Sequence, residues 1–372
     1  MLVHLQLNRE AENTMIYHVI GLMSGSSLDG LDIAYTTITD VRNDWSFELQ
    51  HCSCLPLPAA LKEQLAKAAT LSVPEFLKLH TAFGRWMGEQ VNAFIAEHDL
   101  QHKVHFISSH GHTVFHEPQS GTSTQIGDGA SIAAVCKLPV ITDLRNMDVA
   151  LGGQGAPIVP IADKLFFKDY LYCLNIGGIC NITINTEAPI AFDIAPANQV
   201  LNHYARSLGM DYDRDGALAS SGKALPELIQ ALHALPYCHQ PAPKSLANEF
   251  TDTVLQIIDG FAISTQDKLA SYCQFLAEQV GKQCARFGPH PGAQMLITGG
   301  GALHQHLIAC IQEAMATQGI NVVVPDPQVI AYKEALAMAL IGVLRWREEA
   351  NVLSSVTGAS SDSIGGALWL GN

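Results

Sequence analysis

The stretch Gly21-Leu22-Met23-Ser24-Gly25-Ser26-Ser27-Leu28-Asp29-Gly30-Leu31-Asp32 decides how the chain is read. An apolar run, Met15–Leu22, enters it, and a second, Leu31–Thr37, leaves it. Glycine and serine permit a tight reversal and the flanks favour strands, so the segment predicts strand–turn–strand. Such a turn bares backbone N–H groups and hydroxyls with no large side chain in the way. That suits a phosphate tail, and a nearby aspartate suits a hydrated magnesium ion. In isolation an ordinary hairpin would look the same, so the surrounding chain has to decide.

The chain has 372 residues, enough for two domains of ordinary size. It is 48% hydrophobic and 15% charged, the balance of a soluble globular protein. A net charge of -14 argues against a broad nucleic-acid surface. No apolar run is expected to approach the ~20 residues of a membrane helix. Met1–Thr14 lacks the basic start and apolar core of a secretory signal and reads as a dispensable extension. The nine cysteines are scattered, and only Cys52 and Cys54 lie close together, with no second pair to complete a zinc pattern. They read as small buried residues of a reduced, cytoplasmic protein.

Further along, Ser46–Leu55 predicts a strand and Val73–His98 a long helix. Phe76, His80, Phe83, Met87, Val91 and Phe94 make one apolar stripe on that helix. Val104–Ser108 reads as a strand followed by a polar strand–loop, Ser109–Pro118. Asp148–Pro160 is a glycine-rich loop, near whose end the first domain should stop. The second half then repeats the opening grammar: strand Tyr170–Asn175, turn Ile176-Gly177-Gly178, strand Cys180–Ile184 and strand Pro189–Phe192, with Asp193 directly after it. Pro196–Leu208 reads as a helix and Asp211–Gly222 as a polar loop. Ala293–Ile297 is a buried strand running into Thr298-Gly299-Gly300-Gly301 and a helix. Val329–Arg347 is a last long helix. Ile364–Leu370, an apolar patch in the tail, fits an edge strand.

Three glycine turns thus follow strands: Gly25–Gly30, Gly177–Gly178 and Gly299–Gly301. No G-x-x-x-x-G-K-[ST] is present, and no G-x-G-x-x-G opens a βαβ unit, which excludes a P-loop or dinucleotide fold. Two hairpins gripping phosphates from opposite sides, with a strand-to-helix turn holding adenine and ribose, would meet the needs of phosphoryl transfer.

That order belongs to the superfamily of actin, the heat-shock chaperone ATPases and many sugar kinases, and the chain most resembles its anhydro-N-acetylmuramic acid kinases. The resemblance runs from Val19 to Leu370. It is carried by Gly21–Asp32, Ser109–His116, Gln125–Gly129, Asp143–Pro157, Leu174–Ile179, Asn181–Thr183, Asp213–Gly216, Pro243–Ser245 and Thr298–Gly301. It implies an α/β, two-lobed actin-like ATPase fold, a duplicated ribonuclease H-like plan with an interlobe cleft. One lobe would span residues 1–160, joined by 348–372, and the other 161–347. It further implies an enzyme that opens a 1,6-anhydro sugar with water and phosphorylates the freed oxygen from ATP with Mg2+, giving N-acetylmuramic acid 6-phosphate.

Carried over, Gly25, Ser26, Ser27, Leu28, Asp29, Gly30, Leu31 and Asp32 form the phosphate hairpin. Gly177 and Gly178 face it, and Gly299, Gly300 and Gly301 hold the adenosine. Asp29 and Asp32 are the candidates to hold magnesium through water. Asp193 matches the catalytic aspartate, with a helix N-cap before Pro196 as its alternative role. Glu334 aligns with an acid at the sugar, and His110, Gln154 and Asn198 join it there. His110, His112 and His116 read as pocket liners rather than metal ligands, because no carboxylate or cysteine completes a set. Arg145 and Asp148 brace the pocket. After the third strand the chain reads Asp193-Ile194-Ala195-Pro196-Ala197-Asn198 where the family often has Asp-Thr-Gly-Pro-Gly-Asn, and His112 stands where glutamine is common. These departures put the sugar in question: a different anhydro sugar, or a non-metabolic ATPase of the same fold, is the alternative. The apolar tail and two-lobed plan permit a homodimer without requiring one.

Overall fold

The computed structural model describes residues 14–25, 28–246 and 250–371. The expectations for residues 1–13 and for Ser26 and Ser27 lie outside them. The chain divides into two units, Met1–Phe166 with Tyr332–Asn372, and Phe167–Ala331. The divisions expected at residues 160 and 347 fall instead at Phe166 and at Ala331, inside the last long helix.

In the first unit, β1 (Thr14–Ser24), β2 (Leu31–Val41) and β3 (Asp44–Leu55) form an antiparallel meander. β4 (Phe106–Glu117) runs parallel to β1, β5 (Thr122–Ile126) pairs antiparallel with β4, and β6 (Val140–Thr142) runs parallel to β4. The strand Ala367–Trp369 closes the edge against β6, within the stretch expected to do so. The order along the sheet is therefore β3-β2-β1-β4-β6 and then the C-terminal strand. In the second unit, β7 (Tyr172–Ile176), β8 (Ile179–Ile184) and β9 (Ile190–Pro196) form a meander, with β10 (Gln294–Thr298) parallel to β7 and β11 (Asn321–Val323) parallel to β10. Its order, β9-β8-β7-β10-β11, repeats the first unit strand for strand. A three-strand meander followed by two parallel strands, present twice, is the duplicated ribonuclease H-like plan of actin-like ATPases.

Each sheet is covered by helices chosen by their apolar faces. Val73–Glu97 starts at a capping box made by Ser72 and Glu75 and buries Leu79, Phe83, Met87, Val91 and Phe94. The helix Pro327–Trp346 is long and apolar enough to cross a membrane (mean hydropathy 1.3), which the sequence reading did not expect. Most of it is buried inside the protein, with Ala335 through Leu340 nearly inaccessible. It lies directly on the first sheet. A Cβ on Gly21 of β1 would collide with the Ala335 carbonyl, and one on Gly342 would meet the Ser108 Cβ at 2.5 Å. This close approach is what the first glycine of the opening stretch provides, and it brings Glu334 into the first unit's site.

The polar segment Ser109–Pro118, expected as a strand–loop, is strand almost to its end. β4 continues to Glu117, kinked at Gly111 (φ +73°). Likewise β9 extends through Asp193 to Pro196, and the next helix begins only at Asn198 with Ala197 at its N-cap.

Candidate active site

In the first unit, the turn after β1 is closed by the Leu28 N–H donating to the Gly25 carbonyl at 3.2 Å, with Leu28 left-handed (φ +56°). Gly30 is fixed by packing: a Cβ there would meet the Leu55 carbonyl oxygen at 2.7 Å and the Cys54 Sγ at 2.9 Å. Leu31 is fully buried in the first unit's core, so only its backbone is available to a nucleotide. Asp29 is exposed and Asp32 half-buried. Burial raises the pKa of Asp32, the Cys54 thiol hydrogen bond opposes the rise, and the charge of Asp29 adds to it.

Glu334 stays accessible. Its carboxyl is pushed up by desolvation and by Asp32, while Arg145 pulls it back. Mutually repelling carboxylates favour a cation nearby. Among the described residues, however, no three His, Cys, Asp or Glu side chains converge closely enough to ligate one directly.

Behind these acids runs a bonded chain. Arg145 donates its Nε–H to His110 Nε2 at 2.9 Å and an Nη1–H to the Gly155 carbonyl at 2.6 Å. Asp148 accepts the Gly155 N–H at 2.7 Å and the Thr357 hydroxyl at 2.7 Å. Arg145 requires His110 Nε2 as acceptor, so the His110 Nδ1–H donates to the Gly111 carbonyl at 3.0 Å. Burial, with Arg145 adding to it, drives the His110 pKa down to about 3 and keeps the ring neutral. Burial lowers Arg145 to about 10 against the pull of Glu334 and Asp148. His110, expected at the sugar, is thus buried and engaged with Arg145, which it orients. Gln154 is exposed on the glycine-rich loop, its N–H donating to the Thr357 carbonyl.

In the second unit, Asp193 sits within β9, and the N-cap role is excluded because the helix starts five residues later. Its backbone N–H donates to the Lys244 carbonyl at 3.0 Å, and its Oδ2 accepts the Leu246 N–H at 2.9 Å. Tyr237 donates its hydroxyl to the Asp193 carbonyl at 2.8 Å. Burial raises the Asp193 pKa, and the Leu246 bond and the Lys244 charge hold the rise in check. The stretch Lys244–Leu246 is what holds Asp193, Leu246 by its N–H on the carboxylate and Lys244 by its carbonyl on the Asp193 backbone, a role the sequence reading did not assign. Ile194, Ala195 and Ala197, expected to reshape the sugar pocket, point into the second unit's core instead.

The glycines of this unit separate into two kinds. A Cβ on Gly299 (φ +80°) would meet Asn175 Oδ1 at 2.6 Å and the Ile176 carbonyl oxygen at 2.7 Å, and one on Gly301 would strike the Ile176 side chain. These two are demanded by the protein's own packing. A Cβ on Gly177, Gly178 or Gly300 would meet nothing nearer than 3.6, 3.4 and 3.7 Å, so the protein's own packing does not demand glycine at these positions. The 3-10 turn Gly300–Leu303 opens onto a cavity of about 570 Å³ lined by Asn198, Asn202, Tyr212, Arg214, Asp213 and His304, among others. Its size suits a nucleoside. Asn198, expected at the sugar, lines this cavity and donates to the Ile176 carbonyl at 3.2 Å. Asp213 accepts the Leu218 and Ala219 N–H groups and lies 3.3 Å from His304 Nε2, giving the cavity a fixed, buried floor.

A family model described as anhydro-N-acetylmuramic acid kinase matches residues 17–371. The chain belongs to the anhydro-N-acetylmuramic acid kinase family. Membership makes it an ATP-using kinase of anhydro sugars in cell-wall amino-sugar recycling. Among solved structures the chain is similar to the activator of 2-hydroxyisocaproyl-CoA dehydratase from Clostridium difficile with bound ADPNP. That match has 11% identity and a TM-score of 0.40 over 90% of this chain and 97% of that one. It is also similar to component A of the (R)-2-hydroxyglutaryl-CoA dehydratase of Acidaminococcus fermentans, at 13% identity and a TM-score of 0.44 over 87% of this chain and 96% of that one.

Proposed function

We propose that the protein opens 1,6-anhydro-N-acetylmuramic acid with water and transfers the ATP γ-phosphoryl group to O6, releasing N-acetylmuramic acid 6-phosphate and ADP. The observation that carries this reading is Asp193: a half-buried carboxylate, held by a backbone N–H and raised in pKa by burial, in a member of this kinase family. A base of this kind removes a proton from water as the oxygen bonds to the anomeric carbon. The C1–O6 bond breaks with its electrons passing to O6, O6 attacks the γ-phosphorus, and ADP departs with the bridging electrons. The bridge oxygen is captured by phosphorus, so no separate acid is needed to protonate it.

The open backbone of Gly177, Gly178 and Gly300 and the cavity beside Gly300 supply the nucleotide contacts of the second unit. The turn at Gly25–Asp32 supplies those of the first. Asp32 and Asp29 suit water-held magnesium, which when bound neutralises charge on the phosphates. The scattered cysteines and the use of ATP fit a reducing, cytoplasmic setting.

The test is incubation with magnesium-ATP and the anhydro sugar in ¹⁸O water, read by mass spectrometry. Sugar 6-phosphate carrying one ¹⁸O at C1 and none in the phosphate is expected; no turnover above the buffer rate refutes the substrate. Asp193→Asn should keep ATP affinity and lose about 10²–10⁴-fold in turnover. A loss of less than about tenfold (about 1.4 kcal/mol of barrier) refutes the base.

A further inference from the structure

The glycine-rich loop after Asp148 is held from a distant part of the chain. Asp148 is fully buried, so both oxygens of its carboxylate need donors. Oδ2 receives the Gly155 N–H from within the loop, and Oδ1 receives the Thr357 hydroxyl, each at 2.7 Å. The same hydroxyl lies 3.3 Å from the Leu353 carbonyl, and the shorter bond to a charged acceptor takes its one proton. Thr357 lies 209 positions downstream of Asp148, at the end of the short helix Ser354–Thr357, and is 1% exposed. Its carbonyl accepts the Gln154 N–H at 2.9 Å, and the Ser360 N–H donates to the Leu151 carbonyl at 3.1 Å. A Cβ on Gly153 would strike the Asp148 carboxylate and come within 2.8 Å of the Ala359 Cβ. Gly153 and Gly155 are buried, while Gln154 between them is exposed.

The segment that grips is itself closed. Val352 pairs with Ser363, and Ser354 donates its N–H and its hydroxyl to Asp362. At the base, Asn351 accepts the Gly365 N–H at 2.7 Å and donates to the Gly365 carbonyl at 2.9 Å and the Ile341 carbonyl at 3.1 Å. Ile341 belongs to Pro327–Trp346, the helix that carries Glu334. We propose that the closed loop Val352–Ser363 is a clamp on the glycine-rich loop, and that Thr357 is the positioning residue that presents Gln154 to the sugar. The Thr357 hydroxyl fixes the loop through Asp148, and the Thr357 carbonyl fixes the Gln154 backbone directly. Gln154 is therefore held in one place before a substrate arrives, at little further cost in entropy. Because the assignment rests on the proposed function, with Gln154 at the sugar, the test carries one readout that needs no substrate.

Wild type, Thr357→Val, Thr357→Ser, Gln154→Ala and the double variant of Thr357→Val with Gln154→Ala are compared in the full chain. Valine keeps the shape and removes the hydroxyl; serine keeps the hydroxyl. Thr357→Val should raise the KM for the sugar about tenfold and leave the KM for ATP within about twofold. Serine should hold the wild-type value. Gln154→Ala should raise the sugar KM by a similar factor. In that background the valine substitution should add no more than about twofold, because the hydroxyl acts through Gln154. Amide exchange across Leu151–Gly155 in the ligand-free protein should quicken with valine and return to normal with serine. Should the valine chain fail to fold, Thr357→Ala, which leaves room for water at Asp148, is held to the same outcomes. An unchanged sugar KM, equal losses in both KM values, full additivity with Gln154→Ala, no rescue by serine, or unchanged exchange overturns the assignment. If wild type does not turn over the anhydro sugar, the proposed function falls, and the exchange series alone decides whether Thr357 holds the loop.

Discussion

The turn between β1 and β2 and the turn between β7 and β8 occupy the same place in the same topology, yet they are built in opposite ways. The first is shaped from within. Gly30 is wedged between Leu55 and Cys54, Leu28 is left-handed, and the Gly25 carbonyl receives the Leu28 N–H. The second is shaped by its neighbours. The Gly177 carbonyl accepts the Asn198 N–H, the Gly178 carbonyl accepts the Ala197 and Gln199 N–H groups, and a Cβ on either glycine would make only ordinary van der Waals contacts. A glycine can therefore mean that the protein itself has no room, or that something else must come close. The sequence offers the same letter for both.

The sharpest way to break this comparison is to add one methyl group to each turn. Gly30→Ala should cost about 1–3 kcal/mol from overpacking against backbone and sulfur. That lowers the melting temperature of the unit holding it by several degrees. Calorimetry showing an unchanged melting temperature would mean that Gly30 is not wedged. Gly178→Ala should leave stability within about 0.5 kcal/mol, because its nearest neighbour, Gln199 Cγ, lies at 3.4 Å. It should raise the KM for ATP by about tenfold, or about 1.4 kcal/mol. A destabilised protein with normal ATP affinity would reverse the two roles.

How much of this was legible beforehand follows from the same distinction. The strand–turn–strand units, the long helix from Val73 and the edge strand near Ala367 were written in apolar periodicity, which is a local signal. Asp193 was legible from its family motif, but its setting was not. β9 runs three residues past it because Ala195 and Pro196 pair with Cys180 and Ile179, a contact between strands that no single segment announces. The kink at Gly111 was missed for the same reason: the Ile126 carbonyl that requires glycine lies 15 positions away in sequence. Ile194, Ala195 and Ala197 stood out as departures beside the base, and only the packing reveals that they face the core.

Lys244 offers the finest test, on the side of the molecule where the environment does the shaping. It is buried and donates its Nζ–H to the Tyr237 carbonyl at 2.9 Å. Its Nζ lies 4.3 Å from the Tyr237 ring centroid, and burial lowers its pKa to about 8. Its charge favours the ionised form of Asp193, whose pKa burial has raised. A general base works only when ionised, so turnover should fall as pH drops through the Asp193 pKa. Lys244→Met removes the favourable charge and keeps the bulk. The acid limb of the kcat profile should then move to higher pH, by roughly half a unit (about 0.7 kcal/mol), with the plateau above it little changed. The direction is the decisive part. A limb that moved to lower pH, or stayed fixed while the plateau collapsed, would mean that Lys244 acts on the fold or the substrate rather than on the charge of Asp193.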